Sequence, residues 1–303
     1  MSAPYEPVLV DELTALSALT DLASTYGPRY HMLPGEPTGP EARSDTWLPA
    51  DRLLAPDADG GARGRGGTRG RGREGARGRG GGEGRGGGAE VWGGGELSRL
   101  LGAEWRGSGH RTAHAAALTL VAVYAGRVTA AAMLGWALDG GVWDVRPHNV
   151  LVRPGGHGIA GVRLREPRLL AAPARERAAT LPALHEAVLD THLLPLARTL
   201  HGATRAGLRQ LYGGVAHGCA TALSAAAPRP SAELAALWQE FVRPLPGLAR
   251  LGDLAEVTHR DGSRHLHYLR HTCCLYYTSA EAVRCASCCL TPRAERLRAY
   301  AAR

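Results

Sequence analysis

Residues 60–96 consist almost entirely of glycine and arginine, and this segment divides the chain into a short N-terminal part and a long C-terminal part. A segment with so few apolar side chains has nothing to bury, so it cannot offset the entropy that ordering would cost. We therefore predict a disordered tether over 60–96. Folded structure must come from an N-terminal helical segment, 1–59, and from the residues after the tether.

The positive charge of the chain lies mostly in this tether. Between residues 60 and 88, eight arginines face two glutamates, which gives a local net charge of +6 out of +8 for the whole chain. The remainder is nearly neutral, so composition gives no argument for a folded nucleic-acid-binding domain. Arginine-glycine repeats can bind RNA themselves, but aromatic residues are almost lacking in this one, and we favour a flexible linker without a nucleic-acid partner.

Hydrophobic spacing predicts a chain made mainly of helices. Apolar residues recur at helical intervals over 8–27, 96–105, 111–138, 181–200, 203–226 and 231–242. Gly202, Pro228 and Pro230 mark the breaks between the last three of these segments. Alternating runs at 142–154 and 158–166 predict an extended pair, and Asp261-Gly262 predicts the turn of a hairpin over 255–271.

Together these elements predict an α+β fold that is dominated by helices and has a small β component. We divide the part after the tether into a helical body, 97–250, and a C-terminal subdomain, 251–303, to which the hairpin delivers the chain. The most apolar stretch, 115–138, is interrupted by Arg127, which favours a buried core helix over a membrane span. The N-terminus does not resemble a signal peptide, so we expect a cytoplasmic protein whose thiols stay reduced.

Five of the six cysteines lie close together near the C-terminus: Cys273, Cys274, Cys285, Cys288 and Cys289. Clustered thiolates are the ligands that zinc and iron–sulfur centres prefer. Two adjacent ligands are awkward in a zinc knuckle, since neighbouring side chains of an extended chain point to opposite sides. The residues alone favour an iron–sulfur centre modestly and leave structural zinc, or thiols that bind no metal, as alternatives. The sixth cysteine, Cys219, is expected in the core.

The order of these cysteines, Cys-Cys-x10-Cys-x2-Cys within RHTCCLYY and the residues that follow, resembles that of FhuF-type ferric siderophore reductases. The resemblance extends over about residues 97–303 and is strongest in the last thirty. It implies a [2Fe–2S] cluster bound by Cys273, Cys274, Cys285 and Cys288. Cys289 departs from the four-cysteine pattern; we expect a spare thiol there, with substitution for Cys288 as the alternative.

A second group of polar residues lies in the extended pair. The spacing of Asp144 and Asn149 is like that of the catalytic loop of small-molecule phosphotransferases, but a glycine-rich phosphate loop, a lysine and a second metal-binding aspartate are missing from the sequence. The resemblance instead suggests that this region holds the siderophore. The candidate substrate-binding residues are Asp144, Arg146, His148 and Asn149, with His271 before the cysteines. A purely structural turn at Asn149 is the alternative.

The resemblance implies an oxidoreductase that transfers one electron from the cluster to ferric iron in a siderophore and releases ferrous iron in the cytoplasm. Because the sequence carries no nucleotide or flavin fingerprint, the electron is expected from a separate protein, such as a ferredoxin or a flavin reductase. The alternative is a siderophore-binding or sensor protein, stabilised by an iron–sulfur cluster or by zinc, that performs no turnover.

Overall fold

The computed structural model describes residues 7–43, 46–55, 95–173, 176–226 and 229–303. Helices account for 55% of the structure and strands in small sheets for about 15%, so the predicted helix-dominated α+β fold class is confirmed. The predicted tether, except for its last two residues, lies outside the described ranges.

The secondary structure follows the predicted segments, with corrections at two breaks. The α-helices are α1 (Glu12–Tyr26), α2 (Glu96–Ser108), α3 (Ala113–Val128), α4 (Ala130–Asp139), α5 (Arg177–His185), α6 (Leu194–Thr204), α7 (Leu208–Ser224), α8 (Ser231–Val242), α9 (Pro246–Ala249) and α10 (Arg293–Ala301). A π-helical stretch over Glu186–Leu193 joins α5 to α6. The strands are β1 (Val8–Leu9), β2 (Leu33–Pro34), β3 (Leu48–Pro49), β4 (Val142–Trp143), β5 (Val150–Pro154), β6 (Ile159–Leu164), β7 (Arg168–Ala171), β8 (Gly252–Thr258) and β9 (Arg264–Arg270).

The prediction of one helix over 111–138 is wrong, because α3 and α4 meet at Thr129 and are bent by 46°. The backbone of Thr129 leaves helical geometry, with φ −99° and ψ 2°. Its hydroxyl donates a hydrogen bond of 2.7 Å to the carbonyl of Ala125, an arrangement that bends helices. Across the described ranges, no single helix is long and apolar enough to cross a membrane, and only the bent α3–α4 pair meets the length and composition criteria jointly.

The predicted break at Gly202 is also wrong, because α6 continues to Thr204 and the chain turns at Arg205, which has φ +62°. The Thr204 hydroxyl donates to the carbonyl of Leu200 and accepts from the backbone nitrogen of Ala206. His201 donates through Nδ1 to the carbonyl of Ala206 at 2.7 Å. These side chains satisfy backbone groups at the end of the helix, so the turn forms without a glycine.

The helices α3 and α7 form the centre of the core. A Cβ atom on Gly218 of α7 would lie 2.6 Å from the backbone nitrogen of Gly126 of α3, so the two helices touch backbone to backbone at this point. Nearby, the Tyr124 hydroxyl bonds with Nε2 of the buried His192 at 2.7 Å, and Nδ1 of the same ring donates to the carbonyl of Val145. Burial lowers the pKa of His192 to about 4, so the ring is neutral in the core.

The N-terminal segment packs into the same core as the body. Ala15 and Leu19 of α1 are fully buried, and the hydroxyl of the buried Tyr30 donates to the carbonyl of Ala222 at 3.4 Å. Its short strands also complete two sheets, with orders β1-β7-β4 and β2-β6-β5-β3. Within the second sheet β5 and β6 are antiparallel neighbours, which confirms the predicted extended pair.

The hairpin before the cysteines is confirmed. Strands β8 and β9 pair antiparallel over seven residues, and Gly262 occupies the turn with φ +81°. A small apolar cluster, formed by Ala255, Val257, Leu269 and Tyr300, fixes α10 against the hairpin. The last residue of β9 is Arg270, so the sheet ends three residues before the first cysteine of the cluster.

Candidate metal centre

Two loops carry the five clustered cysteines, one after β9 and one before α10. The first is anchored by Thr272, which is buried against α7, where a Cβ atom on Gly213 would overlap the threonine side chain. The chain then turns sharply at Leu275, which has φ +57°. The second loop turns at Cys285, whose carbonyl accepts from the backbone nitrogen of Cys288 at 2.9 Å. The adjacent pair and the spaced pair therefore lie in two separate turns.

These turns bring Cys274 and Cys285 together, with their sulfur atoms 3.7 Å apart. In a tetrahedral thiolate site with metal–sulfur bonds of about 2.3 Å, two ligands on one metal are separated by about 3.8 Å. The sulfur of Cys273 accepts a hydrogen bond of 3.4 Å from the backbone nitrogen of Leu275. Cys274 and Cys288 are buried, whereas Cys273, Cys285 and Cys289 are partly exposed. The spacing suits Cys274 and Cys285 as ligands of the same metal ion.

Two buried arginines flank the cysteines, and no carboxylate of the described residues pairs with either of them. Arg270 is 2% exposed and Arg296 is 8% exposed. Arg296 donates through Nη1 to the carbonyls of Arg270 and Ser287, whereas Nε and Nη2 of Arg270 and Nε of Arg296 have no hydrogen-bond partner among the described residues. Buried cations without a counter-ion are costly, so this part of the fold favours an anion among the sulfur atoms.

The Cys274–Cys285 pair holds one proton more weakly and the other more tightly than free thiols do. The hydrogen bond with Cys285 lowers the pKa of Cys274 to about 5, and the charge of Arg270 acts in the same direction. The bond to Cys274, together with burial, raises the pKa of Cys285. Because metals bind the thiolate form, the lowered pKa in this pair favours metal binding.

Cys289 belongs to the same cluster as the other four. Burial raises its pKa, the neighbouring Cys288 adds to this effect, and a hydrogen bond with Cys273 opposes it. Burial also raises the pKa of Cys273, with smaller contributions from Cys274, Cys288 and Cys289. The role expected for Cys289, a spare thiol, stays a prediction. The sixth thiol, Cys219, is 0% exposed in α7, and burial raises its pKa to about 12.

The donor set fits a thiolate-bound metal group by its chemistry. Soft sulfur atoms select zinc or iron–sulfur centres, and the unpaired Arg270 and Arg296 would balance the negative charge of four thiolates on a metal. In the described ranges, however, no three His, Cys, Asp or Glu side chains are already arranged around a common metal position. The ligand set of Cys273, Cys274, Cys285 and Cys288 therefore remains a prediction. Of these four, Cys274 and Cys285 already have a sulfur–sulfur distance that suits two ligands of one metal ion.

The predicted substrate-binding residues of the extended pair form an ion-pair cluster around Asp144. This carboxylate is 0% exposed and pairs with Arg146 at 2.9 Å and with Arg168 at 3.0 Å. Arg168 also donates to Nε2 of the exposed His148 at 3.1 Å. Two arginines thus balance the charge of Asp144 inside the protein. The ion pair with Arg168 joins the end of β4 to β7. A role of these residues in holding a siderophore stays a prediction.

Asn149 connects two loops of the same region. Its side-chain nitrogen donates to the carbonyls of Asp144 and Glu166 at 2.8 and 2.9 Å, and its side-chain oxygen accepts from the backbone nitrogen of Glu166 at 2.9 Å. With the side chain 1% exposed, this is the geometry expected of the structural alternative named above.

Replacing Asn149 by alanine is expected to lower the free energy of unfolding by about 3 kcal/mol, because one buried and two partly buried backbone groups lose their partner. Urea denaturation would measure the change. The neighbouring His148→Ala, at an exposed position, serves as the control and should change stability by less than about 0.5 kcal/mol. Unchanged stability of the Asn149 variant, combined with weaker binding of a ferric siderophore, would instead favour the substrate-binding role.

The histidines around β9 divide into two groups. His271 is exposed and bonds with Asp253 at 3.0 Å and with the carbonyl of Arg250. His265 and His267 lie on one face of β9 and stack against His259, and the Nε2 atoms of His259 and His267 are 2.9 Å apart. These contacts of His271 therefore involve neither the stacked histidine rings nor the residues of the Asp144 cluster.

Sequence reasoning missed a buried polar network beside the first cysteine loop. Glu104 of α2 is 0% exposed and accepts from Ser108 at 2.6 Å, and it pairs with His110 at 3.3 Å. The ring of His110 contacts the edge of Tyr276, and the carbonyl of Ser108 accepts from the backbone nitrogen of Ala280. The network thus supports the loop that follows Cys274. No sequence signal distinguished Glu104 from the surface acids, since only packing buries it.

Arg296 was missed as well. Three other arginines, Arg270, Arg284 and Arg293, lie near the cysteines in the sequence. The structure buries Arg270 and leaves Arg284 and Arg293 exposed. Comparison with known proteins adds no assignment at this point: no protein-family model matches the chain, and no curated protein matches it significantly.

Proposed function

We propose that this protein reduces ferric iron in a siderophore complex by transferring one electron from a [2Fe–2S] cluster bound to Cys273, Cys274, Cys285 and Cys288. The observation that carries the proposal is the contact between Cys274 and Cys285, at 3.7 Å, between loops that bear the Cys-Cys-x10-Cys-x2-Cys order. The resemblance of that order to FhuF-type reductases supplies the identity of the cofactor and of the substrate.

The residues around the cysteines support a redox role. The buried charges of Arg270 and Arg296 oppose the negative charge of the thiolates and favour addition of an electron. The backbone N–H of Leu275 donates to the sulfur of Cys273, which also stabilises negative charge on a ligand. The side chains of Cys273, Cys285 and Cys289 are partly exposed, which gives a partner protein access to the site.

The electron balance of the reaction is simple. A low-potential donor protein, such as a ferredoxin or a flavin reductase, supplies one electron, and the ferric ion of the siderophore complex accepts it. Siderophores bind ferric iron through hard oxygen atoms and hold the ferrous ion far more weakly, so the reduced metal dissociates. We place this reaction in the cytoplasm, where the thiols of the site stay reduced.

The second candidate function is a binding or sensor protein without turnover, with zinc or an iron–sulfur cluster as a structural group. The same observation admits it, because zinc coordinated by thiolates requires the sulfur separation found between Cys274 and Cys285. A zinc form would have no electron to donate.

Anaerobic purification tests the two functions. The proposal expects a brown protein with a thiolate-to-iron absorption band and, after reduction, a rhombic paramagnetic signal. Stopped-flow mixing of the reduced protein with a ferric siderophore should then reoxidise the cluster and produce ferrous iron, which a ferrous chelator detects. A colourless protein with one zinc ion per chain would overturn the proposal, and an iron–sulfur protein that is not reoxidised on mixing would favour the sensor.

A further inference from the structure

Three histidines come together at the turn of the hairpin formed by β8 and β9. His259 is the first residue after β8, and His265 and His267 lie two residues apart on one face of β9. The ring centroid of His259 is 4.2 Å from that of His265 and 5.1 Å from that of His267, and both pairs are stacked. All three residues are partly exposed, so a small ion can reach the rings from solvent.

The fold holds His259 and His267 opposite each other. The backbone N–H of His259 donates to the carbonyl of Ser263 at 2.8 Å, which closes the turn. The ring of His267 stacks on Tyr300 of α10, with the centroids 3.9 Å apart and the planes inclined by 14°. The Nε2 atoms of His259 and His267 are 2.9 Å apart, so two ring nitrogens converge on one point of the surface.

The distance between these two nitrogens suits a metal ion that takes its ligands at right angles. Metal–imidazole bonds of about 2.1 Å that meet at about 90° separate two nitrogens by about 3.0 Å, whereas the tetrahedral angle of zinc separates them by about 3.4 Å. Imidazole is a good ligand for divalent nickel, copper and iron, and tetragonal nitrogen sites are typical of nickel and copper. The separation of 2.9 Å therefore favours a tetragonal or octahedral ion.

The ring of His267 is neutral at physiological pH, as a metal ligand must be. Burial lowers its pKa to about 4, with further contributions from His259, Arg303 and His265. Metal ions bind the unprotonated imidazole, so binding does not require His267 to release a charge-bearing proton.

His265 contributes packing rather than a third ligand. Its Nε2 bonds with the hydroxyl of Ser263 at 2.8 Å, and the same hydroxyl bonds with Asp261. In agreement with this, the described part of the chain offers no third His, Cys, Asp or Glu side chain to the pair. Water would therefore fill the other coordination positions, and we expect binding that is reversible.

We propose that His259 and His267 form a second metal site, which binds a divalent transition-metal ion of tetragonal or octahedral geometry through their Nε2 atoms and does not involve the cysteines. The ion replaces the hydrogen bond between the two rings and links the turn after β8 to β9. Because Tyr300 of α10 stacks on His267, the ion also stabilises the contact of α10 with the hairpin. The site goes beyond the proposed function, which uses neither histidine.

Titration calorimetry with Ni²⁺ on the anaerobically purified protein tests the proposal. Affinity for nickel should be at least about tenfold weaker in His259→Ala and in His267→Ala, since each variant lacks one of the two ligands. The matched control is His114→Ala, at an exposed position of α3, which should bind nickel as the unmodified protein does. His265→Ala should change the affinity by less than about threefold, because it removes a stacked ring and not a ligand.

Two further measurements separate this site from the cysteines and from effects on folding. Nickel with imidazole and water ligands lacks the intense charge-transfer bands of nickel thiolates, so its addition should leave the absorption spectrum unchanged. The temperature of unfolding should rise with Ni²⁺ in the unmodified protein and in His114→Ala, but not in His259→Ala. His259→Ala keeps the stack of His267 on Tyr300, so it tests the site even where His267→Ala does not fold.

Equal affinity for nickel in the unmodified protein and in His259→Ala would overturn the site. A thiolate charge-transfer band on addition of nickel, lost in Cys274→Ala, would also contradict it, since it would place the ion at the cysteines. Absence of nickel binding in the unmodified protein would show that the two rings form a hydrogen bond and nothing more.

Discussion

Cys274→Ala is expected to abolish iron binding, with loss of the visible absorption band and of acid-labile sulfide. Cys274 is the buried member of the sulfur pair and is the thiol whose pKa is lowered to about 5. Removing it leaves Cys285 without the neighbouring ligand at 3.7 Å. Cys285→Ala should have the same effect, because the two thiols are expected on one metal ion. Iron and sulfide analysis of anaerobically purified protein measures the result.

The matched control is Cys219→Ala, which also removes a buried thiol but lies in α7. We expect full iron content and an unchanged spectrum for this variant. Cys289→Ala should likewise retain iron, because Cys289 is not one of the four proposed ligands. Retention of a complete cluster in Cys274→Ala would contradict the proposed ligand set. Loss of iron in Cys289→Ala, with retention in Cys288→Ala, would show that Cys289 is the fourth ligand and Cys288 the spare thiol.

The second large effect is expected from Arg270→Gln, which should make the midpoint potential of the cluster more negative by about 100 mV. The physical reason is the loss of a buried positive charge that stabilises the reduced form. A unit charge about 8 Å away contributes about 2 kcal/mol at an effective dielectric constant of about 20, and for one electron this corresponds to about 100 mV. Redox titration followed by paramagnetic resonance measures the potential.

Two variants separate charge from folding in this experiment. Arg270→Lys keeps the charge and should restore most of the potential, which a purely structural role of Arg270 would not explain. Arg284→Gln removes an exposed charge next to Cys285 in the sequence and should shift the potential little, since solvent and salt screen it. A shift in Arg284→Gln as large as that in Arg270→Gln would show that burial does not decide the effect.

The fold was predictable where one face of an element is apolar along its whole length. The spacing of apolar residues identified α8 and the hairpin of β8 and β9 correctly, because burial of that face determines the element. The breaks at Thr129 and Arg205 were not predictable in the same way. They depend on hydroxyl bonds from Thr129 and Thr204 to carbonyls one turn earlier, and threonine makes such bonds in many uninterrupted helices as well.

For the candidate site, the sequence revealed the cysteines but not their surroundings. Their order is local, so it can be read directly from the chain. The burial of Arg296 depends on how α10 packs against the hairpin, and that of Glu104 depends on the contact between α2 and the first cysteine loop. Likewise, Arg29, Arg127 and His217 line one cavity, although their separation in sequence gives no sign that they meet.

The two buried arginines beside the cysteines also connect cofactor loading with folding. A chain that folds around Arg270 and Arg296 without an anion carries two buried charges that nothing compensates, and each costs several kcal/mol. An anionic thiolate-bound metal group removes this cost, so its binding free energy becomes free energy of folding for the C-terminal loops. Oxidative loss of such a group would therefore loosen this end of the protein and open it to proteolysis, so that a damaged molecule is removed together with its function.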